Sequence, residues 1–322
     1  MKQSVITGSM GILGDRFVFE GYKEDCSFAE KAKKLAEIPG IQGLEISSGG
    51  EEADGKETKR ILEDLNLKCA CINVAIAGRR DLGKGSLANP DPALRRKAID
   101  ICKRASDYAA EMGAEVINIW PGQDGFDYAL CTDYSRLYHD FLDGAVEVAD
   151  HNPDVKVALE FKPREPRNRS LVDTYGTALL MCAEGGRKNL GVSVDVGHVL
   201  YANANMAAAV QACAERGRLF HMHTNDCLGY WDDDMILGSV RFIEYIELCY
   251  VLRKVKYDGW CSVDIFPSRE DSFACAEESI LYLDMFDKMV DKIGMENIEE
   301  CIRRGDAAYA SKIVREKVFL SK

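Results

Sequence analysis

The sequence predicts an α/β fold and, within that class, a (β/α)8 TIM barrel, on three observations. Short apolar runs alternate with amphipathic stretches along the chain, the alternation repeats eight times, and no linker or low-complexity tract interrupts it. Purely parallel strands need crossover helices, and they close most economically at eight. An open doubly wound sheet is the alternative. Its glycine-rich phosphate turn is missing, because Gly8-Ser-Met-Gly-Ile-Leu-Gly14 after the first run lacks the GxGxxG spacing.

Taken in order, the first strand is 4–7 (Ser-Val-Ile-Thr), followed by a long loop and an amphipathic helix over 28–38. The second unit pairs the run 43–46 with a helix over 55–65, and the third pairs 68–74 with 92–112. Strand 115–120 ends on Trp120 and leads through a glycine- and aspartate-bearing loop to a helix over 134–151. The remaining units are 155–161 with 171–184, 190–194 with 206–216, 219–223 with 239–255, and 260–265 with 273–290. A barrel over 1–290 is therefore expected, with a helical extension over 291–322 carrying helices at 295–302 and 307–318. That extension is expected to pack on the barrel exterior or on another subunit. Loops after strands 1, 3, 4 and 7 are long, which in this architecture marks the walls of a binding face.

At 322 residues the chain suits one barrel domain, and its net charge of −12, from 53 acidic and 41 basic residues, repels nucleic acid and anionic membranes. Twelve scattered cysteines without a CxxC pair read as reduced thiols in a cytoplasm rather than a disulfide scaffold. In Cys69-Ala-Cys71, strand alternation is expected to put both thiols on one face. The first residues lack a long apolar stretch, and no run of about 18 apolar residues follows, so a soluble, intracellular chain is expected.

Four motifs carry the chemistry: Val-Ala-Leu-Glu160, Ser-Val-Asp195-Val-Gly-His198, Phe-His221-Met-His223-Thr-Asn-Asp and Cys-Ser-Val-Asp264. Each ends an apolar run on a possible metal ligand, at intervals of one strand plus one helix. Alternation puts Ala158, Glu160 and Lys162 on one face, and likewise Ser193 with Asp195, His221 with His223, and Ser262 with Asp264. Glu160, Asp195, His223 and Asp264 are thus expected to converge at one barrel end, where a shared divalent cation removes the penalty of burying carboxylates. Mostly oxygen donors with one imidazole suit Mn²⁺ first, with Mg²⁺ or Co²⁺ as alternatives. His223 is preferred over His221 because it lies nearer the C-terminal strand end, while His221 would lie one layer deeper and is counted among the substrate contacts.

His198 follows Asp195 by three residues, so it should leave the strand and stand beside the metal. It is a proton-transfer or substrate-binding group on one reading and a loop-packing histidine on the other. Lys162 can polarise a substrate oxygen or pair with Glu165 or Asp173. The three aspartates of Gly229-Tyr-Trp-Asp-Asp-Asp-Met235 can hold a second metal or sugar hydroxyls, or simply be solvated and cap a helix. Trp120 and Trp231 offer flat faces for a sugar ring or an aromatic group, with Gln123 beside Trp120 as a polar contact.

The set Glu160, Asp195, His223 and Asp264, with Asp-x-Gly-His and His-x-Asn-Asp, resembles the xylose-isomerase-like TIM barrels over residues 3–290. That superfamily contains sugar isomerases, ketose 3-epimerases, inosose dehydratases and endonuclease IV-type enzymes. The blocks Trp120-Pro-Gly-Gln-Asp-Gly-Phe-Asp-Tyr128, Glu160-Phe-Lys-Pro-Arg-Glu-Pro-Arg167, Trp231-Asp-Asp-Asp-Met-Ile-Leu-Gly-Ser239 and Pro267-Ser-Arg-Glu-Asp271 are similar to the large subunits of bacterial C-glycoside deglycosidases. The resemblance implies metal-dependent proton transfer next to a sugar carbonyl, with Glu160, His198, Asp264 and Lys162 as catalytic residues. It implies cleavage of a 3-oxo-C-glycoside by elimination, with isomerisation or 3-epimerisation as the alternative, and a non-catalytic carbohydrate-binding barrel behind both. A small β-rich subunit is the implied partner. Ketose epimerases have glutamate where this chain has Asp264, which alters the acid/base reach there. The extra zinc ligands of endonuclease IV are not evident, and the charge is wrong for DNA.

Overall fold

Eight parallel strands close on themselves in chain order: β1 Lys2–Ile6, β2 Gly43–Ser47, β3 Lys68–Asn73, β4 Val116–Ile119, β5 Lys156–Glu160, β6 Leu190–Asp195, β7 Leu219–Thr224 and β8 Trp260–Val263, which pairs back to β1. This computed structural model describes residues 1–320, except the side chain of Glu51. The closed ring excludes the open doubly wound sheet. Residues 321–322 of the expected extension lie outside the described residues.

Helices cover the outside: α1 Phe28–Ala36, α2 Gly55–Asp64, α3 Pro92–Met112, α4 Tyr134–His151, α5 Tyr175–Gly185, α6 Val196–Tyr201, α7 Met206–Glu215, α8 Phe242–Lys254 and α9 Ser272–Ile293. Local sequence sets their ends. Asp91 caps α3 by accepting from the Ala93 amide, Pro92 opens its first turn, and Gly113 closes it at φ +72°, a conformation that glycine adopts without strain. Asp271 caps α9 at the Phe273 and Ala274 amides, 2.9 and 3.2 Å away. Apolar faces such as Ala98, Cys102, Ala105 and Ala109 of α3 pack against the barrel in one continuous core. Beyond it, α10 Met295–Arg304 and α11 Ala307–Val314 follow. Phe319 in the next turn packs on Phe242 of α8, whose ring also meets Phe286 of α9.

Two expected placements change. The helix anticipated from residue 171 begins at Tyr175, because Arg169–Ser170 pairs antiparallel with Gly125–Phe126 and the Leu171 amide donates to the Asp124 carbonyl at 2.9 Å. Cys69 and Cys71 do not share a face. The β2–β3 register steps over Ala70, so Cys69 joins the outer core while Cys71 packs inside the barrel with Val116, Ala158 and Phe220. All twelve cysteines are unpaired, and no described helix is long and apolar enough to cross a membrane.

Loops at the C-terminal strand ends are stitched together by one buried carboxylate. Asp124, after β4, accepts from the Ser86 and Ala88 amides at 2.7 and 3.0 Å and from the Ser86 hydroxyl, binding the loop after β3 to the loop after β4. Asn168 Nδ2 reaches the Gly122 carbonyl at 2.7 Å and ties in the loop after β5. Burial pushes the Asp124 carboxyl up from 3.8 to about 6, against the pull of its hydrogen bonds. A raised folded-state value means the stabilising contribution is complete below the unfolded value and is lost as pH rises through about 6. Asp124→Asn keeps an acceptor without the charge. It should therefore gain on the native chain by about 2–3 kcal/mol between pH 4 and pH 8, read from paired urea unfolding curves; a difference that stays flat with pH contradicts the assignment.

Candidate metal centre

Each strand end delivers one polar side chain to the barrel mouth. Glu160 closes β5, Asp195 closes β6 and His223 sits near the end of β7, while Asp264 directly follows β8. Their ligand atoms all lie within 4.8 Å of one another. His223 Nδ1 is 3.2 Å from Asp264 Oδ2, 3.5 Å from Glu160 Oε1 and 3.7 Å from Asp195 Oδ2. Three of the four are buried, whereas the Asp264 side chain is 30 % exposed at the cavity edge.

Asp195 does two jobs at once. It caps α6, accepting from the His198 amide at 2.9 Å, and its carboxylate meets the Asn225 amide at 3.3 Å. This short helix, absent from the periodicity reading, turns His198 back over the strand ends. His198 Nε2 is 3.0 Å from Asp232 Oδ2, and its Nδ1 faces Glu160 Oε1 at 3.4 Å. Asp232 also meets Lys162 Nζ at 2.9 Å, and Lys162 pairs with Glu165 as well. Of the alternatives for Lys162, the Glu165 pair is present.

The aspartate run thus divides its labour. Asp232 holds His198 and Lys162, Asp233 accepts from the Leu228 amide, and Asp234 accepts from Asn225 Nδ2 at 2.9 Å in a left-handed conformation, φ +46°. Trp120 and Trp231 flank the Lys162 ammonium at 5.0 and 6.0 Å from their ring centres. With Glu160, His198, His223 and Asp264 these residues line a cavity of about 790 Å³.

Beneath this floor lies the deeper layer expected for His221, with a carboxylate that the motifs did not reveal. Glu45 of β2 is fully buried, accepting from His221 Nε2 at 2.7 Å and His223 Nε2 at 3.1 Å. Ser262 Oγ joins His221 at 3.1 Å and Ser4 at 2.7 Å. His221 therefore sits below the cavity and does not line it, which corrects the expected substrate contact. Gln123 is not in this cavity either; its amide donates to the Ile76 carbonyl at 2.9 Å and lines an adjoining one. The Glu45 signal in the sequence was only Gly-Leu-Glu-Ile, a carboxylate inside a short strand, without a motif around it.

The electrostatics are those of a cluster short of positive charge. Burial, together with Asp232, Asp264 and Glu160, pushes the Asp195 carboxyl up to about 7 despite His198. Burial raises Asp264 too, against His223. For Glu45, burial acts upward but the His223 and His221 rings outweigh it and hold the carboxyl far below its ordinary range. His223 Nδ1 has no hydrogen-bond partner although it is buried and faces three carboxylates. An unpaired imidazole nitrogen among carboxylate oxygens fits a hard divalent cation, which would take the lone pair and neutralise the excess charge together.

Residues 32–285 match the profile of the xylose isomerase-like TIM barrels, most of the chain. The chain belongs to that family. It is 27 % identical to the xylose isomerase of Thermus thermophilus over 208 residues, 62 % of this chain, and spans about half (54 %) of that enzyme's length. In fold it is similar to a D-tagatose 3-epimerase-like protein, with a TM-score of 0.68, 21 % identity and coverage of 90 % of this chain and all of the other. It is also similar to the 3-keto-D-glucoside 4-epimerase of E. coli, with a TM-score of 0.67, 18 % identity and coverage of 88 % and 99 %.

Within this xylose isomerase-like barrel, Glu45 fixes the ring of His223 so that Nδ1 rather than Nε2 points at the carboxylates. Glu45→Gln places an amide where two imidazole N–H groups need an acceptor. Divalent-metal affinity should fall about 10- to 100-fold with the circular dichroism spectrum unchanged, measured by chelator competition; undiminished affinity would remove Glu45 from the metal centre.

Proposed function

We propose that this chain is a divalent-metal-dependent enzyme that moves a proton at the carbon beside a sugar carbonyl, and that it cleaves 3-oxo-C-glycosides by elimination. The observation carrying the metal-dependent part is the unpaired His223 Nδ1 facing Glu160, Asp195 and Asp264 on the cavity floor. Those four residues would hold a divalent ion, Mn²⁺ by preference, and it would supply Lewis-acid stabilisation of developing negative charge on oxygen.

The chain's own groups supply the proton traffic. Asp264, raised by burial and partly open to the cavity, is placed to take the proton from carbon 2 of a 3-oxo sugar. The C–H electron pair passes into an enediolate with its charge on oxygen 3. Collapse of the enediolate re-forms the carbonyl, makes a carbon 1–carbon 2 double bond and expels the aglycone carbon, which takes up a proton. His198 suits the donor role: burial acts downward, but Asp195, Asp232 and Glu160 push its imidazole up to about 10, so it carries a proton at neutral pH. Lys162, raised by Asp232 and Glu165 against burial, stays charged beside it and orients Asp232.

The elimination reading draws support from the deglycosidase-like sequence blocks and from the solved 3-keto-D-glucoside 4-epimerase, whose named substrate is a 3-oxo glucoside. Aldose–ketose isomerisation or 3-epimerisation remains the second reading, favoured by the xylose isomerase match and the 3-epimerase-like fold neighbour. An enediolate formed beside the free sugar's own carbonyl is then reprotonated on the neighbouring carbon, or on the opposite face of the same carbon. A small β-rich partner subunit belongs to the first reading. Loop side chains Phe17, Phe19 and Tyr230 stand 83, 86 and 83 % exposed and are available to such a wall.

Asp195→Ala and His223→Ala should each lose bound metal and turnover, while His198→Ala should keep the metal and lose turnover. Elemental analysis beside activity separates these outcomes, and full metal occupancy in Asp195→Ala would sink the ligand assignment. Purified alone, the chain should leave 3-oxo-C-glycosides intact and cleave them only with the small subunit. Robust interconversion of free aldoses and ketoses by the isolated chain promotes the isomerase reading.

A further inference from the structure

Away from the barrel mouth, the C-terminal helices leave an apolar groove. A cavity of about 390 Å³ runs between them and α8, lined by Ile243, Ile246 and Val251 of α8, Ile298 and Ile302 of α10 and Ile313 of α11. It shares no lining residue with the cavities at the mouth. The charged side chains in its lining are already engaged: Glu247 accepts from Asn205 Nδ2 at 2.9 Å, and Asp306 caps α11 at the Ala308 and Tyr309 amides. We propose that a second copy of this chain docks on this face, with α10 of each copy laid antiparallel on the other about a two-fold axis.

Helix length and packing call for a cover. α10 has ten residues and α11 eight, and no residue of either is buried. Helices that short are marginal in water and depend on burying an apolar face. Met295, Ile298 and Ile302 recur at i, i+3 and i+7 along one face of α10. The first two touch the barrel's core, whereas Ile302 stands 61 % exposed, and Ile243 of α8 is 46 % exposed in the same groove. Phe319 and Leu320 extend the exposed apolar surface.

Charge identifies the cover as another copy. Glu296, Glu299 and Arg303 follow one edge of the apolar stripe at the same spacing, acidic in the first half of the helix and basic in the second. Antiparallel packing sets like edges together, so an axis level with residues 299–300 brings Glu296 opposite Arg303 of the second copy, and the reverse, while the Ile298 and Ile302 stripes meet. Glu296 and Glu299 have no ion-pair partner among the described residues, and Arg303 pairs with Glu300 of its own helix, an exposed contact of little worth by itself. Residues 295–320 hold five acidic and five basic side chains, so this face is neutral although the whole chain carries −12, and a second copy meets no local repulsion there.

Sedimentation velocity on the full chain over a wide range of concentration tests this, and a concentration-dependent dimer is expected. Ile302→Glu should make the chain monomeric, with circular dichroism and metal content unchanged. Arg303→Glu, which sets glutamates against each other across the axis, should raise the dimer dissociation constant about tenfold or more, and Glu296→Arg should do the same with arginines. Combining Glu296→Arg with Arg303→Glu should restore the dimer, and mixing the two single variants should give a mixed one. The double variant still lacks the Arg303–Glu300 pair, so its recovery reports on the contact between copies and not on the helix. A chain that stays monomeric throughout, a dimer indifferent to Ile302→Glu, or a charge exchange that fails to restore association overturns the proposal.

Discussion

Everything at the barrel mouth depends on one imidazole with its two nitrogens in opposite company. His223 Nε2 points down to Glu45, and Nδ1 points up to Glu160, Asp195 and Asp264. Buried carboxylates repel one another strongly at these separations, and unpaired each would be costly to bury. The chain tolerates the concentration because His223 stands between the lower carboxylate and the upper three. Burial and neighbouring carboxylates drive Asp195 and Asp264 toward their protonated forms, whereas Glu45, with His221 and His223 against it, stays ionised. The lower layer is electrostatically closed and the upper layer is open, which is what separates a structural pair from a site that can take up a cation.

The backbone makes that separation possible. Glu45 and His221 meet inside the barrel next to two register steps, of β6–β7 over Phe220 and of β2–β3 over Ala70. Each irregularity re-aims the following residues, a use of bulges that strict alternation cannot describe. The displaced Phe220 ring lies against Gly191, where any Cβ would stand 2.3 Å from it, so a bare backbone is needed at the barrel floor. The layer beneath the candidate metal ligands thus lies beside two single-residue steps in otherwise regular strands.

Much of this was legible in the sequence. The eight strand runs, the closure into a barrel and the convergence of Glu160, Asp195, His223 and Asp264 follow from period-two alternation and from strand ends sharing one face. Three things were not legible, each for a physical reason. Glu45 lies inside the short run Gly-Leu-Glu-Ile with Ser47 two residues on, a pattern that matches no ligand motif. The helix Val196–Tyr201 is too short for a 3.6-residue period to register, although its cap, Asp195, was already singled out for another purpose. The Lys162–Asp232–His198 chain joins two loops and the helix Val196–Tyr201, distant in sequence, so only the tertiary fold could assemble it.

The shorter fourth carboxylate takes on meaning against that geometry. Asp264 follows the end of β8 and is the one member of the quartet with substantial exposure, yet its Oδ2 approaches His223 more closely than either of the other two carboxylates does. A glutamate would push its carboxylate one methylene further toward the cavity. On the proposed reading, aspartate keeps the carboxylate low, and Asp234 and Asn225 fill the adjacent space from the loop after β7. On that reading the proton donor is His198, paired with Asp232, which Lys162 holds in turn. The cavity places two carboxylates, Glu160 and Asp264, beside the Asp232-paired imidazole of His198. The proposed elimination uses the carboxylate–imidazole pair to remove a proton at one atom and deliver one at another, whereas the epimerisation alternative calls on the two carboxylates for opposite faces of one carbon.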